Sequence, residues 1–387
     1  VMVIAAALFF LSALGSGLAF GPADLIGWRV LGGLGVGAAS VIAPAYIAEI
    51  APAPIRGRLG SLQQLAIVTG IFVALLSDAW LAAVAGGATE ELWFGLEAWR
   101  WMFIVEVVPA FAYGGLALTI PESPRFLVAN GEERDARGVL RKVMRVGIDE
   151  RIKEITRTVA REEKATWRDL LNPGGRNLLP IVWIGIGLSV FQQFVGINVI
   201  FYYSSALWQS VGFTEADALT QTVITSVTNI AVTIVAIALI DKIGRRRLLL
   251  IGSFGMSLSL GALAFLFATA RVVEGADGEL EPVLEGGAGV AALIAANLFV
   301  VFFGATWGPA VWVLLGEMFN NVIRGTALGL AAAAQWLANF AISTTFPAMA
   351  DVGLGFAYGF YTTCAVLSLL FVWKLVPETK GKELEEM

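Results

Sequence analysis

Apolar residues in this chain come in long runs, not in the narrow periodic stripes of soluble helices. Ten runs, at roughly 1–20, 24–48, 58–85, 99–120, 178–207, 218–240, 247–270, 289–315, 323–349 and 354–376, are each near the ~20 residues that cross ~30 Å of hydrocarbon as an α-helix. Unbroken, Gly-rich runs of this length predict helices; the strands of a β-barrel would be about half as long and would alternate polar with apolar positions. The sizeable polar stretch, about 124–177, separates the fourth run from the fifth. Within it Val139, Leu140, Val143 and Val146 make a narrow apolar stripe, which predicts short amphipathic helices lying on a membrane face. A plain solvated linker is the alternative, and the stretch is too short for a separate enzymatic domain.

Composition agrees with the pattern. The 387 residues are 57% hydrophobic and 15% charged, against the ~25% charged residues of soluble domains, and mean hydropathy is +0.77. The formal net charge of −5 conceals an asymmetry. Apart from Arg29, Arg100 and Arg271, every Lys and Arg falls in segments that alternate to one side: 56–58, 125–176, 242–247, 324 and 374–382. The opposite loops are acidic or neutral, with Glu90, Glu91, Glu97, Glu215, Asp217 and the Glu274–Glu285 stretch. Such segregation predicts both chain ends in the cytoplasm and an even number of spans. The absence of His excludes His-based proton shuttles and His-ligated metals, and the single Cys364, in an apolar run, reads as a small packing residue.

The chain contains an internal repeat. EIAPAPIRG at Glu49–Gly57 is matched by EMFNNVIRG at Glu317–Gly325, each with Arg-Gly at the same distance from Glu at the cytoplasmic end of a span. PESPR at 121–125 is matched at a similar offset by PETKG at 377–381. Two half-transporters in parallel are implied, residues 1–123 and 178–387, joined by a cytoplasmic helical linker at 124–177. DKIGRRR at 241–247 occurs in the second half alone. Its counterpart would precede Val1, and the first half has four spans against six, so the expectation is a twelve-span fold whose first two helices are absent from this chain.

Polar side chains inside the runs carry the candidate chemistry. The stretch FQQFVGINVIFYY at Phe191–Tyr203 places Gln192, Gln193 and Asn198 in hydrocarbon, which is costly unless each amide finds a partner. Gln64, Asn229 and Gln335 also lie near span midpoints. Amides donate and accept, as the hydroxyls of a sugar require, and nothing in the spans suits a charged substrate. The structural alternative is that they tie neighbouring helices together, at ~0.6 kcal/mol each. On an ideal helix Gln193 and Asn198 lie about 140° apart, so both face one cavity only if the helix bends between them, and Gly196 is placed to allow that.

Over its whole length the chain resembles the sugar porters of the major facilitator superfamily, most of all the bacterial xylose–proton symporters. The resemblance is carried by RVLGGLGVG (29–37), the two Glu/Arg-Gly motifs, PESPR, QQFVGIN (192–198), DKIGRR (241–246), WGPAVW (307–312), AAQWLAN (333–339) and PETKG. Asn320 departs from it, standing where the family has Pro. The resemblance implies an all-α integral membrane protein with the major facilitator fold, ten of twelve transmembrane helices present. It implies alternating-access transport of a neutral pentose or hexose with a proton, in the cell membrane. Proton-independent facilitation and a non-transporting sugar sensor are the rival readings. It places Gln64, Gln192, Gln193, Asn198, Asn229 and Gln335 at the sugar, with Trp307 as the stacking ring and Trp312 its neighbour. Asn339, Tyr202 and Tyr203 stay open between sugar contact and packing, and Gly196 is the hinge. Glu49, Arg56, Glu122, Arg125, Asp241, Arg245, Arg246, Glu317 and Arg324 are expected to form a cytoplasmic gate. Arg29 is expected to couple to the proton through an acid of the absent first span, with the glycines at 33 and 37 allowing close helix approach around it. The expected partners are a monosaccharide, a proton and the lipid bilayer. No cofactor, metal or nucleic acid is expected, no nucleophile–base pair marks an enzyme, and the chain is read as a monomer.

Overall fold

The computed structural model describes residues 1–50, 56–143, 147–161, 167–172, 175, 177–203, 207–208, 214–274, 280–284, 287–320 and 322–379. Val146 and the side chains of Arg56 and Asp241 lie outside what is described. Among the described residues nine helical segments are long and apolar enough to cross a membrane, and α1 (Met2–Gly17) is a shorter apolar helix of 16 residues. The helical, multi-pass reading holds. By their internal contacts residues 1–63 with 70–166 form one unit, and 64–69 with 167–387 a second.

In the first unit α1 packs on α2 (Pro22–Ile50), α4 (Ala98–Val105) and α5 (Val107–Thr119). The glycines that permit this are Gly15, under the Trp28 ring, and Gly32 and Gly35, against Ser12 and Phe9. Gly33 and Gly37, expected to serve close approach, meet nothing within 4 Å among the described residues. The run at 99–120 divides into α4 and α5 because Pro109 has no N–H for the Val105 carbonyl. The third long helix is α3 (Arg56–Ala85). A short hairpin, β1 (Glu91–Trp93) with β2 (Leu96–Glu97), carries rings of the kind found at a membrane interface. Trp93 lies 5.4 Å from Trp101 and 6.3 Å from Trp80, centroid to centroid.

The polar stretch folds on itself. Helices α6 (Pro124–Ala129), α7 (Glu133–Val143) and α8 (Ile148–Arg161) bury Leu127, Val128, Ala136, Val139, Leu140, Ile152 and Ile155 against one another. The apolar stripe thus makes a small three-helix core. Val143, expected within the stripe, is exposed; Ala136, one turn before Leu140, takes the inward place.

The second unit contains α9 (Pro180–Phe194), α10 (Ile197–Tyr202), α11 (Glu215–Ile243), α12 (Arg245–Ala268), α13 (Gly287–Phe302), α14 (Gly308–Met318), α15 (Arg324–Val352) and α16 (Leu354–Leu375). A hairpin of β3 (Arg271–Glu274) and β4 (Leu280–Val283), which the apolar pattern gave no sign of, follows α12. Between α13 and α14 a π-helical turn, Phe303–Trp307, precedes Pro309, whose ring cannot accept a regular helix turn before it. Aromatic rings lie on glycines along two contacts: Phe371 covers Gly187, and Phe302 covers Gly255.

The repeat is visible in its hydrogen bonds. Ser123 donates its hydroxyl to Glu49 in the first unit, and Thr379 donates to Glu317 Oε2 at 2.9 Å in the second. Around Glu317 the set is larger. Arg245 grips it as a fork, Nη2 to Oε1 at 2.8 Å and Nε to Oε2 at 3.1 Å. The Glu378 carboxylate accepts the backbone N–H groups of Arg245 and Arg246, capping α12 at its positive end. Gly244 (φ +96°) makes room, since a Cβ there would stand 2.7 Å from Glu378 Oε2. Arg246 donates to the Trp373 carbonyl, and Arg324 to that of Phe319 at the end of α14. Asn320 Oδ1 accepts Ile323 N–H, so this Asn shapes the turn where the family has Pro. Glu122 is exposed, and Tyr46 beside it donates to the Pro121 carbonyl.

Arg245 is nearly buried and its partner only partly exposed, so losing the cation leaves a carboxylate short of solvent. Arg245→Leu is expected to destabilise the protein by about 3 kcal/mol. Arg137→Ala, in an exposed pair with Asp149, is expected to cost at most about 1 kcal/mol. Unfolding of both variants in detergent checks the difference.

Candidate functional site

The second unit gathers amides around an interrupted helix. α9 ends at Phe194 and α10 begins at Ile197 because Gly196 takes φ +83°, the left-handed region. The chain thereby turns between Gln193 and Asn198, and Asn198 Nδ2 donates to Gln193 Oε1 at 2.7 Å. The bend that the spacing demanded is present. The same Nδ2 donates to Asn339 Oδ1 on α15 at 2.8 Å, and Asn339 Oδ1 also receives Ser343 Oγ. Tyr203 closes this side, its hydroxyl on the Ser343 carbonyl at 2.9 Å and its ring 4.9 Å from that of Phe346. Tyr202 is exposed.

Gln192 points differently, as neighbours on a helix do. Its Nε2 donates to the carbonyls of Trp307 and Gly308 at 3.2 and 3.3 Å, the backbone at the end of the π-helical turn. Its Oε1 is buried without a partner among the described residues, and the same is true of Asn229 Oδ1 and Gln335 Oε1. Asn229 faces Gly304 in that turn, where a Cβ would meet its Oδ1 at 2.6 Å. Gln64 groups with this unit; a Cβ on Gly308 would stand 3.3 Å from its Nε2. Three buried carbonyl oxygens lacking donors are expensive, about 1–3 kcal/mol each, and are suited to a ligand that brings hydroxyls.

Trp307 departs from the expectation. Its ring has 0% of its surface exposed, and its Nε1 is bonded to the Leu249 carbonyl and Ser253 Oγ, both at 3.0 Å. It is a packing anchor on α12, not an open stacking face. Trp312, five residues on, keeps part of its surface exposed.

The first unit holds Arg29. Its partner was expected in a helix outside the chain, yet Nη1 lies 3.3 Å from Glu106 Oε2, at the break between α4 and α5, with the guanidinium 5.2 Å from the Phe103 ring centroid. Glu106 was missed by the sequence reading; a carboxylate in the middle of an apolar run was the available signal.

A family described as "Sugar (and other) transporter" matches residues 1–387. The chain belongs to this family of transporters. It is 60% identical to the "Glucose transport protein" of Synechocystis sp. (strain ATCC 27184 / PCC 6803 / Kazusa), covering 100% of this chain and 82% of the relative. It is 39% identical to the "D-xylose-proton symporter" of Escherichia coli (strain K12), covering 99% and 78%. The solved proton:xylose symporter XylE bound to 6-bromo-6-deoxy-D-glucose superimposes with a TM-score of 0.83 at 38% identity, over 100% of this chain and 81% of that one. The chain is thus a multi-pass membrane transporter of the major facilitator fold, and not an enzyme.

Two consequences can be measured. Trp307→Ala is expected to lower stability by about 3–5 kcal/mol, read as early unfolding in detergent, because a filled and hydrogen-bonded site is emptied. Gln193→Ala and Asn198→Ala share one hydrogen bond, so their effects on sugar affinity are expected to be non-additive by about 0.5 kcal/mol or more in a double-mutant cycle followed by calorimetry.

Proposed function

We propose that the chain carries a neutral pentose or hexose across the cell membrane by alternating access, together with a proton, with both chain ends facing the cytoplasm. The observation that carries this reading is the set of buried amides whose carbonyl oxygens lack donors among the described residues, Gln192, Asn229 and Gln335, together with the linked pair Gln193–Asn198. Sugar hydroxyls would donate to those oxygens, Gln64 would supply a further amide, and Trp312 would offer a ring to the sugar's C–H face. Relatives named for glucose transport and xylose–proton symport support this substrate class. Six amides at ~1 kcal/mol each with one ring reach the ~4–8 kcal/mol of millimolar to micromolar affinity, weak enough for release.

On this reading residues 1–123 and 178–387 act as half-transporters joined by the linker at 124–177. The charged sets around Glu49 and Glu317, with Arg125, Arg245, Arg246 and Arg324, bias which side is open. Arg56 and Asp241 complete the proposed gate by sequence. The proton resides on a carboxylate beside Arg29, and Glu106 is a described carboxylate in that place: protonation would release the ion pair and change how α2 and the α4–α5 break hold together.

Uptake of labelled D-xylose and D-glucose by the full-length protein in proteoliposomes, with a pH-sensitive dye outside, tests both parts. Saturable uptake with external alkalinisation is expected, and Glu106→Gln is expected to keep sugar binding while losing alkalinisation. Uptake with no pH change in the unaltered protein means facilitated diffusion, and no saturable uptake of either sugar overturns the substrate class.

A further inference from the structure

One face of α9 is held by aromatic rungs from α16. Phe371 lies on Gly187, with its ring 5.3 Å from that of Phe191, and Phe360 lies 6.3 Å from Phe194. The next rung is Tyr361, and it falls at the helix break. A Cβ on Gly196 would meet Tyr361 Cγ and Cδ2 at 2.9 Å, so the ring is pressed against the left-handed residue itself. Tyr361 is 1% exposed and fixed from both sides, by Tyr358 edge-on at 6.1 Å and Phe360 at 5.7 Å. Beyond Gly196 the attachments change in kind. α10 and Tyr203, the residue that caps it, are tied to α15 by two hydrogen bonds, Asn198 to Asn339 and Tyr203 to the Ser343 carbonyl, and by the Tyr203–Phe346 contact. Ring-on-glycine packing from α16 therefore ends at Gly196, and the side-chain hydrogen bonds to α15 lie beyond it.

We propose that Tyr361 is a positioning residue for transport: its ring is the fulcrum on which α10 turns over bound sugar. α16, which carries none of the candidate sugar-binding groups, thereby sets how fast that movement occurs. The ring supports Gly196 from behind, so α10 can exchange its bonds with α15 for bonds to a sugar without unseating α9. Interdigitated packing of this density does not deform gradually, which gives the turn a defined pivot. Without the ring, α9 and α10 would lose their common seat, and Gly196, which is free to adopt many φ values, would admit alternative conformers.

The proposal rests on α10 being part of the sugar site, and the experiment separates the two. Tyr361→Phe, Tyr361→Leu and Tyr361→Ala are made in the full-length protein. D-xylose and D-glucose affinities are measured by calorimetry in detergent, uptake in proteoliposomes, and folding by thermal unfolding. Tyr361→Leu is expected to lower the maximal uptake rate about tenfold, with equilibrium affinity changed less than about threefold. Tyr361→Phe, which keeps the ring, is expected to restore the rate to within about twofold of the unaltered protein. If Tyr361→Ala unfolds, the Phe and Leu pair carries the test. Unchanged maximal rates in the Leu variant overturn the proposal, as do equal losses of affinity and rate in that variant. Absence of sugar binding to the unaltered protein would instead overturn the reading of the site.

Discussion

A polar group in hydrocarbon has to find its partner inside the protein, and the second unit is organised around where that requirement is met and where it is left open. Breaking the helix at Gly196 strands backbone groups at membrane depth. The break is tolerated because Gly196 N–H returns to the Gln193 carbonyl at 2.9 Å, Asn198 bridges Gln193 and Asn339, and aromatic rings exclude lipid on the other side. The π-helical turn at Phe303–Trp307 poses the same problem, and there Gln192 supplies the donors. One amide group thus secures backbone while its own carbonyl oxygen has no partner among the described residues. Support and readiness for a ligand are combined in a single side chain.

Much of the fold was legible because hydrocarbon leaves few options. Long apolar runs and paired motifs specify helices and a sequence repeat before any contact is known. The angular conflict between Gln193 and Asn198 even located the break, since two groups 140° apart on a regular helix need a residue such as Gly196 between them. What was not legible depended on partners distant in sequence. Trp307 and Trp312 both lie within three residues of Pro309, and only packing on Leu249 and Ser253 makes the first an anchor. Gly32, and not Gly33, meets α1, because a rotation of one residue cannot be read from a Gly-rich run. Glu106 lay hidden inside an apolar run whose interruption at Pro109 was not anticipated.

The repeat explains why the charged sets resemble each other and also how they differ. Each half places a hydroxyl from its Pro-Glu-Ser or Pro-Glu-Thr motif on the carboxylate of its Glu/Arg-Gly motif. In the second unit Arg245 adds a bidentate bond and Glu378 caps α12, so four side chains and two backbone groups converge. Burying such a set is not a strong source of net stability, since desolvation offsets most of the attraction. Its value is geometric. Every member has a directional partner, so the helix ends it joins are held in one arrangement until several bonds are exchanged together.

The same logic separates the two faces of the broken helix. Ring-on-glycine contacts gain their energy from close fit and lose it steeply with distance, so they favour one position. Amide and hydroxyl bonds can be traded for bonds to a sugar with little net change, because each exchange conserves the number of donors satisfied. A carrier needs both properties side by side: a seat that does not yield, and a wall whose bonds can be given up and taken back at nearly equal free energy. In this chain they meet at Gly196, with α16 on one side and α15 on the other.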